Sequence, residues 1–353
     1  MKKILASLTI VLIFVSMLPV LALKVSAQEE ATQTQRTPIP PLTNENRLQI
    51  VMKENVTVQE NEILALIGAK DGITHLPLAF INPGDIVLIP DPGYPGYVSG
   101  TLLAEGKTYF MPLLKQNNFL PDLKSIPENI YNKTKIMWLN YPNNPTSATA
   151  TIDFYKEAIN YAKKYDFIIA QDAPYCDIYF EKTPISILEI KGAKENAIEF
   201  FSLSKTYNMT GWRIGYAVGG AKIINGLATV KENMDSGTVS AIQEAAANTL
   251  KHCDNEVKQI RELYKKRAIQ CYKGIKELGF NALEPKATMY VWVEVPDGWT
   301  SMQFATKVLD ECDVVVTPGI GFGPSGDKYF RISLTVEEEI MEMAIKQLKR
   351  FRK

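Results

Sequence analysis

From Glu62 onward, short apolar bursts alternate with segments of helical periodicity, and no other feature of the chain restricts its fold as much. The bursts at 86–89, 108–112, 136–139, 167–170, 198–201 and 215–218 are short and apolar, as strands covered on both faces are. Between two of them, residues 152–165 put Ile152, Tyr155, Ala158, Ile159 and Ala162 on one helical stripe, with Lys156, Lys163 and Lys164 elsewhere. Repetition of such units predicts an α/β fold in which helices cover both faces of a sheet rich in parallel strands. Residues 255–278 form a second, longer amphipathic helix that stops at Gly279. Beyond it, alternation at 289–295, helical spacing at 302–309, an apolar burst at 314–316, alternation at 329–334 and helical spacing at 337–351 describe a small α+β lobe.

At 353 residues the chain exceeds what one hydrophobic core accommodates, so two lobes are expected, divided near 254/255. Lysine plus arginine equals aspartate plus glutamate at 39 each, and without a net field neither nucleic acid nor an anionic membrane is an expected partner. The partner is a small molecule. Cys176, Cys253, Cys271 and Cys312 are far apart and form no Cys-x-x-Cys pair, which predicts reduced thiols and no metal site. The front of the chain differs. Lys2 and Lys3 precede an apolar run at 4–23, and small residues at 25–27 offer a cleavage site, so residues 1–27 read as a secretory signal. The other reading is an uncleaved anchor, since about 20 apolar residues span a bilayer, and membrane contact is expected through this segment alone. Residues 28–55, which begin rich in Gln, Thr, Glu and Pro, form a linker ahead of a large domain at 56–254 and a long helix with a small domain at 255–353.

The run SLSKTYNMTGWRIG at 202–215 carries the chemistry. Lys205, placed just beyond a buried strand, can form a Schiff base with an aldehyde cofactor, while Ser202, Ser204 and Arg213, eight residues on, can hold its phosphate. This run resembles the cofactor-lysine signature of the class I and II aminotransferases. That resemblance implies pyridoxal 5'-phosphate as cofactor, an amino acid and a 2-oxo acid as substrates, and a homodimer. It also implies fold type I of the pyridoxal-phosphate-dependent transferases: a mostly parallel seven-stranded sheet sandwiched by helices, with a smaller C-terminal α+β domain.

Five further stretches fall where the family places its site. Asp172 follows the burst at 167–170, where its carboxylate can pair with the cofactor's pyridine nitrogen; alone, an aspartate at a strand end says little. The resemblance assigns Tyr175 and Asn144, the latter within NYPNNPT at 140–146, to the cofactor's phenolic oxygen, though tyrosine alone reads as packing and Asn-Pro as a turn. Ala69 and Lys70, in GAKDG at 68–72, stand at the start of an apolar helix, where backbone amides attract phosphate. Tyr94, in DPGYP at 91–95, matches the aromatic residue that stacks on the cofactor ring. Arg331, in YFRIS at 329–333, matches the arginine that grips the substrate α-carboxylate with two parallel bonds, a contact shared with Asn144. The glycines of GIGFG at 319–323 make a poor dinucleotide motif, and His75 and His252 are isolated.

Within the family, GITHLPLAF at 72–80, YPNNPT at 141–146 and KTYNMTGWR at 205–213 are most similar to the LL-diaminopimelate aminotransferases, which makes LL-diaminopimelate or glutamate the expected donor. The resemblance starts near Val56. Family members carry, ahead of this point, a glycine-containing substrate loop and a tyrosine lent across the dimer, and residues 1–55 resemble neither. Two other functions are therefore left open: a non-catalytic protein that keeps the cofactor pocket, and a decarboxylase or lyase using the same cofactor. The family implies the cytoplasm, whereas residues 1–27 point outward.

Overall fold

The computed structural model describes residues 56–351, so the signal-like segment and the linker lie outside the described residues. Its main sheet is assembled from Ile63–Leu66 (β1), Ile86–Asp91 (β2), Lys107–Pro112 (β3), Thr134–Leu139 (β4), Ile168–Asp172 (β5), Ala197–Ser202 (β6) and Gly215–Gly219 (β7). Their spatial order is β1-β7-β6-β5-β4-β2-β3. β2 to β6 are mutually parallel, while β7 pairs antiparallel with both β6 and β1. β7 alone therefore opposes the other six. The period of two along a strand explains the double cover: Ile136 and Trp138 of β4 enter one core, and Met137 and Leu139 enter the other.

Helices of eight residues or more are Ala69–Phe80 (α1), Gly96–Leu103 (α2), Ile152–Tyr165 (α3), Ala221–Met234 (α4), Ser240–His252 (α5), Asp254–Glu277 (α6), Ser301–Cys312 (α7) and Glu338–Leu348 (α8). α3 packs on one face of the sheet through Tyr155, Ala158, Ile159 and Ala162, whereas α1 and α4 cover the other through Ile73, Leu76, Ile223 and Leu227. Thr151 caps α3 by accepting from the Phe154 amide, and Asp166 ends it in the left-handed region at φ 55°. One expected stripe residue is displaced: Ile152, at the first turn, is exposed, and Phe154 takes its place in the core.

α6 leads into a second sheet, in which Tyr290–Glu294 (β8), Thr317–Pro318 (β9) and Tyr329–Ser333 (β10) pair antiparallel in the order β8-β10-β9. α6, α7 and α8 close its core with Phe280, Phe304 and Phe330. The apolar burst at 314–316 is not the paired strand; pairing falls on Thr317 and Pro318, and Val315 is 81% exposed. All four cysteines are free, Cys271 and Cys312 buried and the other two half-buried. Among the described residues no helix is long and apolar enough to cross a membrane.

The strand directions decide where a ligand binds. β2 connects to β3 on one side, but the chain then crosses to place β4 on the other side of β2. Such a reversal opens a crevice beyond the C-terminal ends of the strands. The segments after β1, β2, β4, β5 and β6, and the one before the reversed β7, all emerge at that edge.

Candidate active site

A cavity of about 460 Å³ lies at this edge, and every site residue expected from the sequence lines it: Ala69, Lys70, Tyr94, Asn144, Asp172, Tyr175, Ser202, Ser204, Lys205, Arg213 and Arg331. One end of the cavity is built on the turn from β1 to α1. Gly68 adopts φ 79°, and the Asp71 carboxylate accepts the Ile67 amide proton at 2.8 Å, tying the turn to the first turn of the helix. Arg213, itself at φ 54°, brings its guanidinium so close to Gly68 that an added Cβ would lie 3.0 Å from Nη2. Helix N-terminus and guanidinium therefore present positive potential to one place. Ser202 accepts from the Ser204 amide at 3.3 Å, and Lys205 follows in the single helical turn Leu203–Thr206. Among the described residues no carboxylate forms an ion pair with the Lys205 amine.

Asp71 is held from behind. The buried Lys231 ammonium lies 2.7 Å from both Asp71 and Asp235, so the Asp71, His75 and Asp235 cluster already encloses a cation of the chain's own. His75, isolated in sequence, has Nδ1 2.7 Å from Asp71.

At the other end Asp172 is buried at the tip of β5. Its Oδ2 accepts from the Tyr97 hydroxyl at 2.7 Å, whereas Oδ1 has no partner among the described residues. Burial pushes this carboxyl up to about 7, and the Tyr97 hydrogen bond offsets only part of the rise. A buried carboxylate oxygen without a partner fits a cationic group, such as a protonated pyridine nitrogen. Asn140 fixes the strand end by donating to the Asp172 carbonyl at 2.7 Å and accepting from the Asn144 amide at 2.8 Å.

The side-chain oxygen of Asn144 accepts from Arg331 Nη1 at 2.8 Å, which leaves its amide protons for another acceptor. Arg331 is sandwiched between rings, its guanidinium carbon 4.0 Å from the Tyr290 centroid and 4.8 Å from that of Phe322. Its Nε is buried without a partner among the described residues, and burial pulls its pKa below the ordinary value. A guanidinium in that condition fits a carboxylate ligand. Tyr175 pairs its hydroxyl with that of Tyr290 at 3.1 Å, and burial raises it well above the ordinary range, so it is a neutral donor.

Tyr97, Tyr290 and Phe322 were not singled out in the sequence. Tyr97 follows Tyr94 by three residues and stacks on Trp138 with centroids 4.8 Å apart. That spacing at a helix start was the one signal available.

The raised carboxyl has a consequence for stability. Above its ordinary value of 3.8 the unfolded chain releases the Asp172 proton, while the folded chain retains it up to about 7. The folded state then binds more protons, so the stability of the ligand-stripped protein falls as pH rises through that window. Asp172→Asn should remove this part of the fall. Thermal unfolding from pH 4.5 to 8 measures it, and an unaltered pH slope in the variant would refute the assignment.

A family model described as aminotransferase class I and II matches residues 19–348. The LL-diaminopimelate aminotransferase of Aquifex aeolicus is 50% identical over 289 residues, 82% of this chain and 75% of the relative. That of Dehalococcoides mccartyi is 48% identical over 294 residues, 83% and 76%. Among solved structures, substrate-bound BacF of Bacillus subtilis superposes with a TM-score of 0.84 at 37% identity, covering 87% of this chain and 79% of that one. An aminotransferase from Staphylococcus aureus gives 0.84 at 36%, covering 87% and 82%.

Proposed function

The chain belongs to the class I and II aminotransferases, and on that premise we propose that it moves an amino group between LL-diaminopimelate or glutamate and a 2-oxo acid, with pyridoxal phosphate held at Lys205. The observation that carries the reading is the convergence of separate chain segments, each bearing one expected residue, on one cavity. Identity near 50% to LL-diaminopimelate aminotransferases supports that donor.

When bound, pyridoxal phosphate supplies an aldehyde for amine capture and a ring that takes up an electron pair from the substrate α-carbon. The chain's own groups divide the remaining work. Arg213, the first turn of α1 at Ala69 and Lys70, Ser202 and Ser204 would hold the phosphate. Tyr94 would pack against the ring, Asp172 would keep its nitrogen protonated, and Tyr175 and Asn144 would be donors for its phenolic oxygen. Arg331 and Asn144 orient the substrate α-carboxylate. With the cofactor bound, Lys205 Nζ would be the group that holds and moves the α-carbon proton, as general base and then general acid. The same reading includes a homodimer and a lobe division at 254/255, at the start of α6.

Arg331→Lys should weaken substrate binding by about 1.5–3 kcal/mol, the range for a hydrogen bond to a charged group, because an ammonium cannot reproduce the fork. Cofactor loading should survive. The test titrates the reconstituted protein with LL-diaminopimelate and with glutamate, following the visible absorbance of each half-reaction. No spectral change with either donor would sink the substrate reading, and a variant that loses cofactor but binds amino acid normally would sink the role of Arg331.

A further inference from the structure

The loop 319–328, which carries Phe322, is held from two sides. From its own lobe, Ser301 Oγ donates to Asp327 at 2.8 Å and accepts from the Ile320 amide at 3.1 Å. Gly319 and Gly326 approach so closely that a Cβ on either would fall within about 2 Å of the other's carbonyl oxygen. From the main sheet, Asp91 at the end of β2 reaches the same loop. Its carboxylate accepts the Ser325 amide proton at 3.1 Å and the Ser325 hydroxyl proton at 2.8 Å. Two residues on, the Gly93 amide donates to the Phe322 carbonyl at 2.7 Å. Gly323 has φ 127°, and a Cβ there would lie 2.2 Å from Asp91 Oδ1, so only glycine lets the carboxylate in.

We propose that Asp91 is a positioning residue for substrate recognition: its clasp on Ser325 joins the two cavity walls and holds the Phe322 ring over the Arg331 guanidinium. The proposal rests on the carboxylate-binding role of Arg331 given above. Asp91 is 4% exposed, and its segment continues through Pro92 and Gly93 to Tyr94, while the clasped loop supplies Phe322. Tyr94 and Phe322 thus face the same ligand from opposite lobes, and the Asp91–Ser325 contact is a charge-assisted bond between them. With the clasp gone, Phe322 keeps the bond from the Gly93 amide to its carbonyl but loses the side-chain tie three residues on, so the loop loosens and the ring is less firmly fixed over Arg331. Neither Asp91 nor Ser325 is among the groups assigned to cofactor or proton transfer, so the effect falls on amino-acid binding and not on the chemical step.

The test uses Asp91→Asn, which keeps the shape, and Ser325→Ala, singly and together, in the pyridoxal-phosphate-loaded full chain. Each single variant should raise the amino-acid KM about tenfold, as expected for one charge-assisted hydrogen bond, with kcat within about twofold. Cofactor affinity should not move. The double variant should be no worse than the weaker single one, because both remove the same contact. Hydrogen exchange of peptides spanning 319–328 reads the clasp without any turnover and should show faster exchange in both variants. Unchanged exchange, additive KM effects, or faster exchange with unchanged KM would each overturn the proposal. If the wild-type chain transaminates neither donor, it is the proposed function that fails, and with it the positioning role; unchanged exchange in active protein refutes the clasp alone.

Discussion

Lys205→Ala should lower the turnover number by about 10⁴-fold or more, because proton transfer by a positioned group is alone worth roughly 10² to 10⁴, and the covalent anchorage is lost as well. The fold should survive. Lys205 sits half-buried in a single helical turn whose cap is made by Ser202, so truncation removes neither core packing nor the cap. Two measurements separate loss of chemistry from loss of structure. Borohydride reduction followed by peptide mass spectrometry should find the cofactor on the Lys205 peptide of the wild type and nowhere on the variant. Thermal unfolding of the two proteins without ligand should agree within a few degrees. Substantial turnover by the purified variant, or cofactor fixed on another lysine, would rule out the role given to Lys205.

What could be read from the chain depended on whether a residue's task is local. β2, β4, β5 and β6 announce themselves as continuous apolar bursts because both faces are buried, and their boundaries fall within two residues of the expectation. β7 was legible as a strand but its direction was not, since direction is set by how the chain returns and not by the strand's own residues. β1 escaped because four residues at a sheet edge, half of them partly exposed, carry too little periodicity. At 314–316 the apolar burst is not the paired strand: Val314 and Val316 enter the small-lobe core, Val315 is exposed, and pairing begins at Thr317. The site follows the same division. Lys205, Ser204 and Arg213 share one contiguous run and could be found together. Tyr97 acts on Asp172 across 75 positions and Tyr290 meets Tyr175 across 115, so their relevance exists only once the strands and lobes are assembled. The glycines at 319–323 carry no sequence signal for their close backbone approaches, which exist only with Asp91 and Gly326 in place.

Asp172→Asn should cost about 10²- to 10³-fold in turnover while leaving the pocket's shape intact, the range for deleting one preorganised electrostatic contact to developing charge. Two properties of Asp172 decide this size. Its burial means that its interaction with a cation is weakly screened, and its unpartnered Oδ1 means that no other group of the described chain competes for it. An amide of the same shape offers no negative charge, so the ring nitrogen is no longer held in the protonated form that makes the ring an effective electron acceptor. Tyr97→Phe provides the scale within the same site. It removes a single hydrogen bond to Oδ2 and leaves the charge, so its effect should stay near the roughly 0.5–1.5 kcal/mol of an ordinary hydrogen bond, or somewhat above it because the acceptor is charged. The order wild type, Tyr97→Phe, Asp172→Asn should hold for the rate of α-proton removal, measured as the primary isotope-sensitive phase of the glutamate half-reaction in stopped flow. An Asp172→Asn protein as fast as wild type would show that the carboxylate is not the ring's partner. A Tyr97→Phe protein as slow as Asp172→Asn would show that the hydroxyl, and not the charge, is what the buried pair contributes.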